Sequence, residues 1–146
     1  MVRKNAKILA TTFFMGIVLG FGTIAYAGTA VGSWKYFGPV FGYSYKNQAY
    51  VETRTNAAEA GTTIASDGSG SIPTGYMGAQ ARLYYNGDLY ASSSTSYTSS
   101  SNTQFEVSIV KGNPPTGTYH STGVTQVYNG NGYDTYYTNQ SPSQSY

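Results

Sequence analysis

Few side chains in this chain could support catalysis: it has one histidine and no cysteine among its 146 residues. Without cysteine there is no thiol nucleophile, no redox pair and no thiolate metal site. His120 lies in a predicted strand, where a lone histidine is usually structural or solvent-facing. The chain also lacks the Gly-x-Ser-x-Gly elbow of a serine hydrolase. We therefore expect no enzymatic activity, no cofactor and no metal.

Carboxylates are the remaining catalytic option, because a glycosidase needs only two of them. Glu52 and Glu106 lie on predicted strands, on the faces that alternate with apolar residues. That placement is typical of solvated charges opposite basic side chains. Asn129, Asn131 and Asp134 could offer oxygen ligands to calcium, but their spacing matches no complete calcium loop. Their glycine-rich surroundings indicate a turn.

Tyrosine is the side chain best suited to binding, since the chain has 16 and only Tyr26 precedes residue 28. Each buried ring covers about 150–250 Å², so a core short of aliphatic residues holds several of them. It cannot hold them all, and the others must be exposed. Exposed rings with amide and guanidinium neighbours could stack on sugars or contact a protein.

One predicted strand concentrates such residues. Met77 and Leu83 mark its apolar face, and the period of two predicts that this face is buried. The opposite face carries the candidate binding residues Tyr76, Gln80, Arg82 and Tyr84. Tyr50, with Tyr136 or Tyr137, could extend that surface. The alternative is simple cross-strand packing. A glycan or a surface protein is the expected partner.

The same strand belongs to the hairpin Gly75–Tyr97, around which the fold is organised. Asn86-Gly87 is the strongest short-range hairpin signal. A two-residue turn places Tyr85 opposite Asp88 and suits the turn chemistry. A three-residue loop buries Leu89 and suits the hydrophobic pattern. We favour the two-residue turn.

The rest of the chain is also rich in strand and turn residues: Tyr, Thr, Val, Ser and Gly. The sequence predicts an all-β fold, a single small antiparallel β-sandwich or a small barrel of about six to eight short strands. Asn56 to Gly75 is expected as a small-residue connection, with Gly61 as a breaker and a short strand at Thr62–Ala65. Thr118–Tyr128 is expected as a strand broken near Gly123.

Residues 1–27 have the pattern of a secretory signal peptide. Arg3, Lys4 and Lys7 precede the apolar stretch Ile8–Phe21, and Ala25-Tyr26-Ala27 is a small-x-small cleavage pattern. An uncleaved membrane anchor is the alternative. Cleavage leaves a β-sandwich domain at 28–138 and a polar tail at 139–146, with export from the cell as the expected localisation.

Removal of residues 1–27 changes the charge. Five basic residues remain against six acidic ones, a net charge of −1. No basic patch is left to bind nucleic acid or a membrane surface. The lack of cysteine in an exported chain favours a bacterial origin.

Three segments resemble small secreted proteins of Gram-positive bacteria whose function is uncharacterised: Ile72–Ala79, Gly117-Thr118-Tyr119 and Tyr128–Tyr133. This resemblance implies no activity and no site residues. In overall design the chain is also similar to the lactococcin 972-type bacteriocins. The expected function is a secreted interaction protein that binds a polymer or protein through exposed tyrosines. The alternatives are a bacteriocin-like antibacterial protein and a structural matrix component.

Overall fold

The computed structural model describes residues 28–146, and the expected signal peptide lies outside the described residues. Every regular element in residues 28–146 is a β-strand, which confirms the predicted all-β class. The strands form three antiparallel sheets, none of which closes into a barrel, and together they make a small β-sandwich. Across these residues, no helix is long and apolar enough to cross a membrane.

Thirteen strands follow one another along the chain: β1 (Gly28–Val31), β2 (Lys35–Val40), β3 (Tyr43–Arg54), β4 (Ala57–Ser66), β5 (Met77–Gln80), β6 (Arg82–Tyr85), β7 (Asp88–Ser92), β8 (Ser96–Tyr97), β9 (Gln104–Gly112), β10 (Thr118–Ser121), β11 (Val124–Tyr128), β12 (Tyr133–Tyr137) and β13 (Gln144–Ser145).

The larger layer is a five-stranded sheet built on a long β3–β4 hairpin. Arg54 pairs with Ala57, so Thr55 and Asn56 form the turn, and Asn56 has a positive φ of 63°. β9 pairs with the other side of β4. β1 and β2 pair with successive parts of β3 and share one edge of the sheet. Alternation along β3 turns Tyr50 away from the core.

Strand β4 corrects the prediction of an irregular connection between Asn56 and Gly75. All but its two end residues are buried, so its sequence lacks the polar–apolar alternation that identifies a half-exposed strand. The short strand predicted at Thr62–Ala65 is part of it. Gly61 lies inside the strand rather than breaking it, and the Tyr50 ring covers it. A Cβ at Gly61 would overlap that ring.

The other layer consists of two four-stranded sheets. The Met77 sheet has the order β12-β11-β5-β8, and the Leu83 sheet has the order β13-β10-β6-β7. Only Ala81 separates β5 from β6, and only Thr122 and Gly123 separate β10 from β11. The break predicted near Gly123 is thus confirmed. It has a packing reason, because a Cβ at Gly123 would overlap the side chain of Thr62.

The Asn86-Gly87 turn joins β6 to β7 with two residues, as the turn chemistry predicts. Tyr85 pairs with Asp88, and both turn residues have positive φ, 47° and 95°. The register then shifts by one residue, so that Leu83 pairs with Ala91. This shift is a β-bulge between Leu83 and Tyr84. Because of it, the pairing of Leu83 is not set by the two-residue turn.

The core between the layers has two clusters. The first lies between the five-stranded sheet and the Met77 sheet and contains Val40, Tyr45, Ile64, Ile72, Met77, Ala79 and Val127. The second lies under the Leu83 sheet and contains Ala30, Val51, Ala58, Ala60, Leu83 and Tyr119. Alanines supply half of the second cluster, so the two layers approach closely there.

Residues 139–146 continue the Leu83 sheet, which corrects the prediction of a frayed polar tail. β13 pairs with β10, and Tyr146 and Gly117 exchange two backbone hydrogen bonds of 2.9 and 3.0 Å. Ser141 is buried, and its hydroxyl accepts a hydrogen bond from the Ser121 amide at 2.9 Å. The sandwich therefore includes this segment instead of ending at residue 138.

Candidate functional site

The five residues that the sequence singled out lie in three places. Gln80, Arg82 and Tyr84 lie together on the outer face of the second layer. Tyr76 lies at one end of the sandwich, between the layers. Tyr50 lies on the outer face of the five-stranded sheet, on the opposite side of the molecule. The prediction that Tyr50 extends the surface around Arg82 is therefore wrong.

The Arg82 face is made by Gln80, Arg82 and Tyr84 with their neighbours. No further layer formed by residues 28–146 covers it, and its three named residues are half-buried. The Arg82 guanidinium donates to Gln80 Oε1 at 3.2 and 3.3 Å. It also lies 5.8 Å from the ring centre of Tyr137. Tyr84 stacks on His120 with ring centres 4.8 Å apart and planes 7° apart. These side chains largely bind one another.

Two other aromatic positions differ from the expectation. Tyr76 packs against Tyr43 at 5.9 Å and Tyr128 at 4.8 Å, so it bridges the two layers instead of facing solvent with Arg82. Tyr136 points to the core and stacks on Phe37 at 4.0 Å. Of the two tyrosines considered as extensions of the Arg82 face, Tyr137 is the one that reaches it.

A groove of about 360 Å³ lies on the outer face of the five-stranded sheet and is here called the Tyr50 groove. This volume lies within the range of small-molecule sites. Nine residues line it: Thr29, Val31, Trp34, Gln48, Tyr50, Glu52, Thr63, Gln104 and Glu106.

Strand register explains how distant residues meet there. Gln48 pairs with Thr63, and Thr63 pairs with Glu106, so the three form one row across β3, β4 and β9. Trp34 precedes Lys35, which pairs with Asn47, and so extends the row to the opposite edge. Four neighbouring strands span about 14 Å at the usual spacing. The groove therefore crosses the whole sheet.

Tyr50 forms the floor of the groove. Because its ring covers Gly61, the ring lies along the sheet and offers its other face to the groove. Its hydroxyl lies 3.0 Å from Glu59 Oε1 and 3.1 Å from Glu106 Oε1. Burial, followed by the charge of Glu106, raises the pKa of Tyr50 to about 12. The phenol therefore remains a hydrogen-bond donor at physiological pH.

The acidic side chains around Tyr50 have different partners. Arg54 pairs with Glu52 at 3.4 Å and forms a close ion pair with Glu59. Glu106 accepts hydrogen bonds from Tyr50 and from Thr63, the latter at 3.0 Å. Among the described residues, no cationic side chain lies within 4.0 Å of Glu106. The groove is therefore negatively charged on the β9 side.

Two further side chains shape the groove. The Lys46 ammonium lies 5.2 Å from the centre of the Trp34 ring, which supports the indole from one side. The Gln48 Oε1 atom is shielded from solvent and accepts no hydrogen bond within the described part of the chain. Such an orphaned acceptor costs about 1–3 kcal/mol.

The structure also shows the surroundings of the residues that the sequence offered as metal ligands or catalysts. In residues 28–146, no group of three or more His, Asp or Glu side chains is placed to hold a metal ion. Asn129 donates to Asp134 at 2.7 Å, and Asn131 donates its amide to Asn129 at 3.0 Å, which is the geometry of a turn. Burial lowers the pKa of His120, which therefore stacks on Tyr84 in its neutral form near neutral pH.

No family model, no curated protein and no solved structure matches the chain in comparisons with known proteins. The sequence identified Tyr50 but missed Trp34, Gln48 and Thr63 as its neighbours. One signal was available for the first of these, because Trp34 is the single tryptophan of the chain. Gln48 lies two residues before Tyr50 on β3 and so shares its face, whereas Thr63 becomes visible only when β4 is recognised as a strand.

Proposed function

We propose that this chain is an exported, non-enzymatic module that binds an extracellular glycan in the Tyr50 groove. The observation that carries the proposal is the row that crosses the five-stranded sheet, with two aromatic side chains, Trp34 and Tyr50, beside amides and carboxylates. Aromatic faces pack against the C–H faces of sugar rings, and amide and carboxylate groups bind sugar hydroxyls.

The shape of the groove favours a chain-like ligand. Its walls come from both edges of the sheet, since Trp34 lies at the β1–β2 edge and Glu106 lies on β9. A groove that crosses a sheet from edge to edge can hold several linked sugars and let the polymer continue on either side. A closed pocket would hold one small molecule.

The Arg82 face is less suited to the same task. Tyr84 uses one ring face against His120, and Arg82 is held by Gln80 and Tyr137. A ligand there would compete with contacts that the protein already makes. In the Tyr50 groove, the floor ring is held from below by Gly61 and its upper face borders the groove.

Export and the absence of catalysis are separate parts of the proposal, the first supported by the sequence and the second by side-chain contacts. The positive, apolar and small-residue pattern of residues 1–27 supports export by a signal peptide. The carboxylates support binding rather than catalysis, because Glu52 and Glu59 share Arg54, and the single hydroxyl proton of Tyr50 is shared between Glu59 and Glu106. Release of new reducing ends from a bound oligosaccharide would contradict the non-enzymatic part.

A glycan-array measurement followed by calorimetry with the purified protein tests the proposal. Trp34→Ala and Tyr50→Ala should each weaken binding of a retained oligosaccharide about tenfold. Tenfold corresponds to about 1.4 kcal/mol, the order expected for the loss of one apolar ring contact. Tyr50→Phe keeps the ring and should weaken binding less than Tyr50→Ala does.

Tyr84→Ala is the matched control, because it removes a half-buried tyrosine from the opposite side of the molecule. Its affinity should equal that of the wild type. A loss of binding in Tyr84→Ala but not in Tyr50→Ala would move the site to the Arg82 face. Failure of the protein to retain any glycan on the array would refute the proposal itself.

A second candidate function, self-assembly into an extracellular matrix, is favoured by strand β9. Among the described strands, this nine-residue edge strand pairs only with β4, and it has no proline to protect its outer edge. Antiparallel pairing of two copies about Ser108 would place Val107 opposite Ile109 of the second copy. Sedimentation over a wide concentration range tests this, and a monomer at the highest concentration would exclude it.

A further inference from the structure

We propose that the glycan bound in the Tyr50 groove carries free amino groups, and that the Glu106 carboxylate binds one of its ammonium groups. The ligand class is an oligosaccharide of 2-amino-2-deoxy sugars. This inference rests on the proposed function, since it concerns the ligand of the same groove. It follows from the uneven pairing of the charges around Tyr50.

Glu106 is the acid of this group that Arg54 does not contact. Arg54 is an ion-pair partner of both Glu52 and Glu59, and within residues 28–146 no other basic side chain pairs with an acid of the groove. Lys46 is engaged with the Trp34 ring. Three carboxylates therefore stand against a single guanidinium that pairs with only two of them, and the excess negative charge lies on the β9 side.

Glu106 is also held in position. Tyr50 donates to its Oε1 at 3.1 Å and Thr63 donates to its Oε2 at 3.0 Å. Each carboxylate oxygen has two lone pairs, so both oxygens can accept a further hydrogen bond. A carboxylate that is fixed by two neutral donors and lacks a cation is suited to an ammonium group, which brings three donors.

The position of Glu106 favours a sugar amine over other cations. Glu106 continues the same row as Thr63, directly beside the ring of Tyr50. A sugar that stacks on this ring can direct a ring substituent towards the carboxylate without losing the stacking contact. Polyanionic glycans would meet the excess carboxylate charge and are disfavoured.

The experiment compares two probes of equal length by calorimetry: a β-1,4-linked glucosamine tetramer and its fully N-acetylated counterpart. Acetylation removes the charge and leaves the sugar ring unchanged. The wild type should bind the amino tetramer five- to tenfold more tightly. Added salt should reduce this preference, since the carboxylate is exposed. The acetylated tetramer should show little salt dependence.

Glu106→Gln should abolish the preference while it retains an amide oxygen to accept from Tyr50 or Thr63. Asp88→Asn is the matched control, because it removes one exposed negative charge from the other layer and should keep the full preference. Salt dependence in the wild type gives a test that needs no variant, in case Glu106→Gln does not fold.

The outcomes separate the two proposals. Equal affinity for both tetramers, unchanged in Glu106→Gln, would overturn the amino-sugar inference and leave the glycan-binding function standing. Absence of binding by both tetramers and by every glycan on the array would overturn both. Binding of a lysine-rich peptide in a Glu106-dependent manner, without binding of either tetramer, would also overturn the inference and would assign the groove to cationic peptides.

Discussion

Replacement of Gly61 by alanine tests directly whether the Tyr50 ring lies over the sheet. Alanine normally stabilises the interior of a strand relative to glycine by about 0.5–1 kcal/mol. At Gly61 the added Cβ would overlap the Tyr50 ring. Because the backbone of a central strand cannot move far, the ring must leave its place.

The cost follows from what the displaced ring loses. The Tyr50 hydroxyl shares its single proton between the carboxylates of Glu59 and Glu106, at 3.0 and 3.1 Å, and one hydrogen bond to a charged group contributes about 1.5–3 kcal/mol. Subtraction of the 0.5–1 kcal/mol that alanine normally adds in a strand leaves a net destabilisation of about 1–2 kcal/mol.

Urea denaturation measures this change through the midpoint at constant m-value. Gly112→Ala is the matched control, because Gly112 is also a strand glycine but has room for a Cβ, with the nearest atom 4.0 Å away. That variant should be stabilised by about 0.5–1 kcal/mol. In a Tyr50→Ala background, Gly61→Ala should become stabilising too, which completes a double-mutant cycle.

The critical result is that Gly61→Ala lowers the free energy of unfolding in the wild type and raises it in the Tyr50→Ala background. If Gly61→Ala stabilises the wild type as much as Gly112→Ala does, the ring does not rest on Gly61 and the floor of the groove is wrongly assigned. If Gly61→Ala destabilises both backgrounds equally, the cost comes from the strand backbone and not from Tyr50.

Three further predictions concern other parts of the sandwich. Deletion of residues 144–146 removes two backbone hydrogen bonds to Gly117 and should lower the free energy of unfolding by about 2 kcal/mol in urea; no change would mean that the segment frays. Gly123→Ala should destabilise by about 1–3 kcal/mol through overlap with Thr62, and a wild-type thermal midpoint would contradict this packing. Because burial lowers the pKa of His120, the unfolded state takes up its proton first, so stability should fall as the pH drops below about 6.5; His120→Gln should remove this component, and an unchanged pH profile would refute the assignment.

The sequence predicted those elements whose own residues determine them. The alternation of Met77 to Tyr85 predicted strand structure with Met77 and Leu83 buried, but the single strand predicted is two strands, β5 and β6, in different sheets. The Asn86-Gly87 turn was assigned correctly because positive φ is a local requirement. Only Thr62–Ala65 of strand β4 was predicted, and the rest was missed for a physical reason. It is buried on both faces, and one of them is covered by Tyr50. Its sequence therefore lacks the alternation of polar and apolar residues from which a strand is predicted.

The groove was less predictable than the fold. Its row joins Trp34, Gln48, Thr63 and Glu106, which lie on four different strands or connections. Only the register of β3, β4 and β9 aligns them, and register depends on long-range pairing. The C-terminal pairing of β13 was hidden in the same way, because its partner β10 is distant in the sequence.

The packing of an aromatic ring over a glycine recurs in this fold. A Cβ at Gly78 would overlap the ring of Tyr97, and one at Gly117 would overlap the ring of Tyr85, as at Gly61 and Tyr50. Each such pair is a single steric unit divided between two neighbouring segments of the chain. In the evolution of this fold, the two positions should covary: where the aromatic residue is lost, the glycine is free to gain a side chain, and where the ring is kept, the glycine must stay.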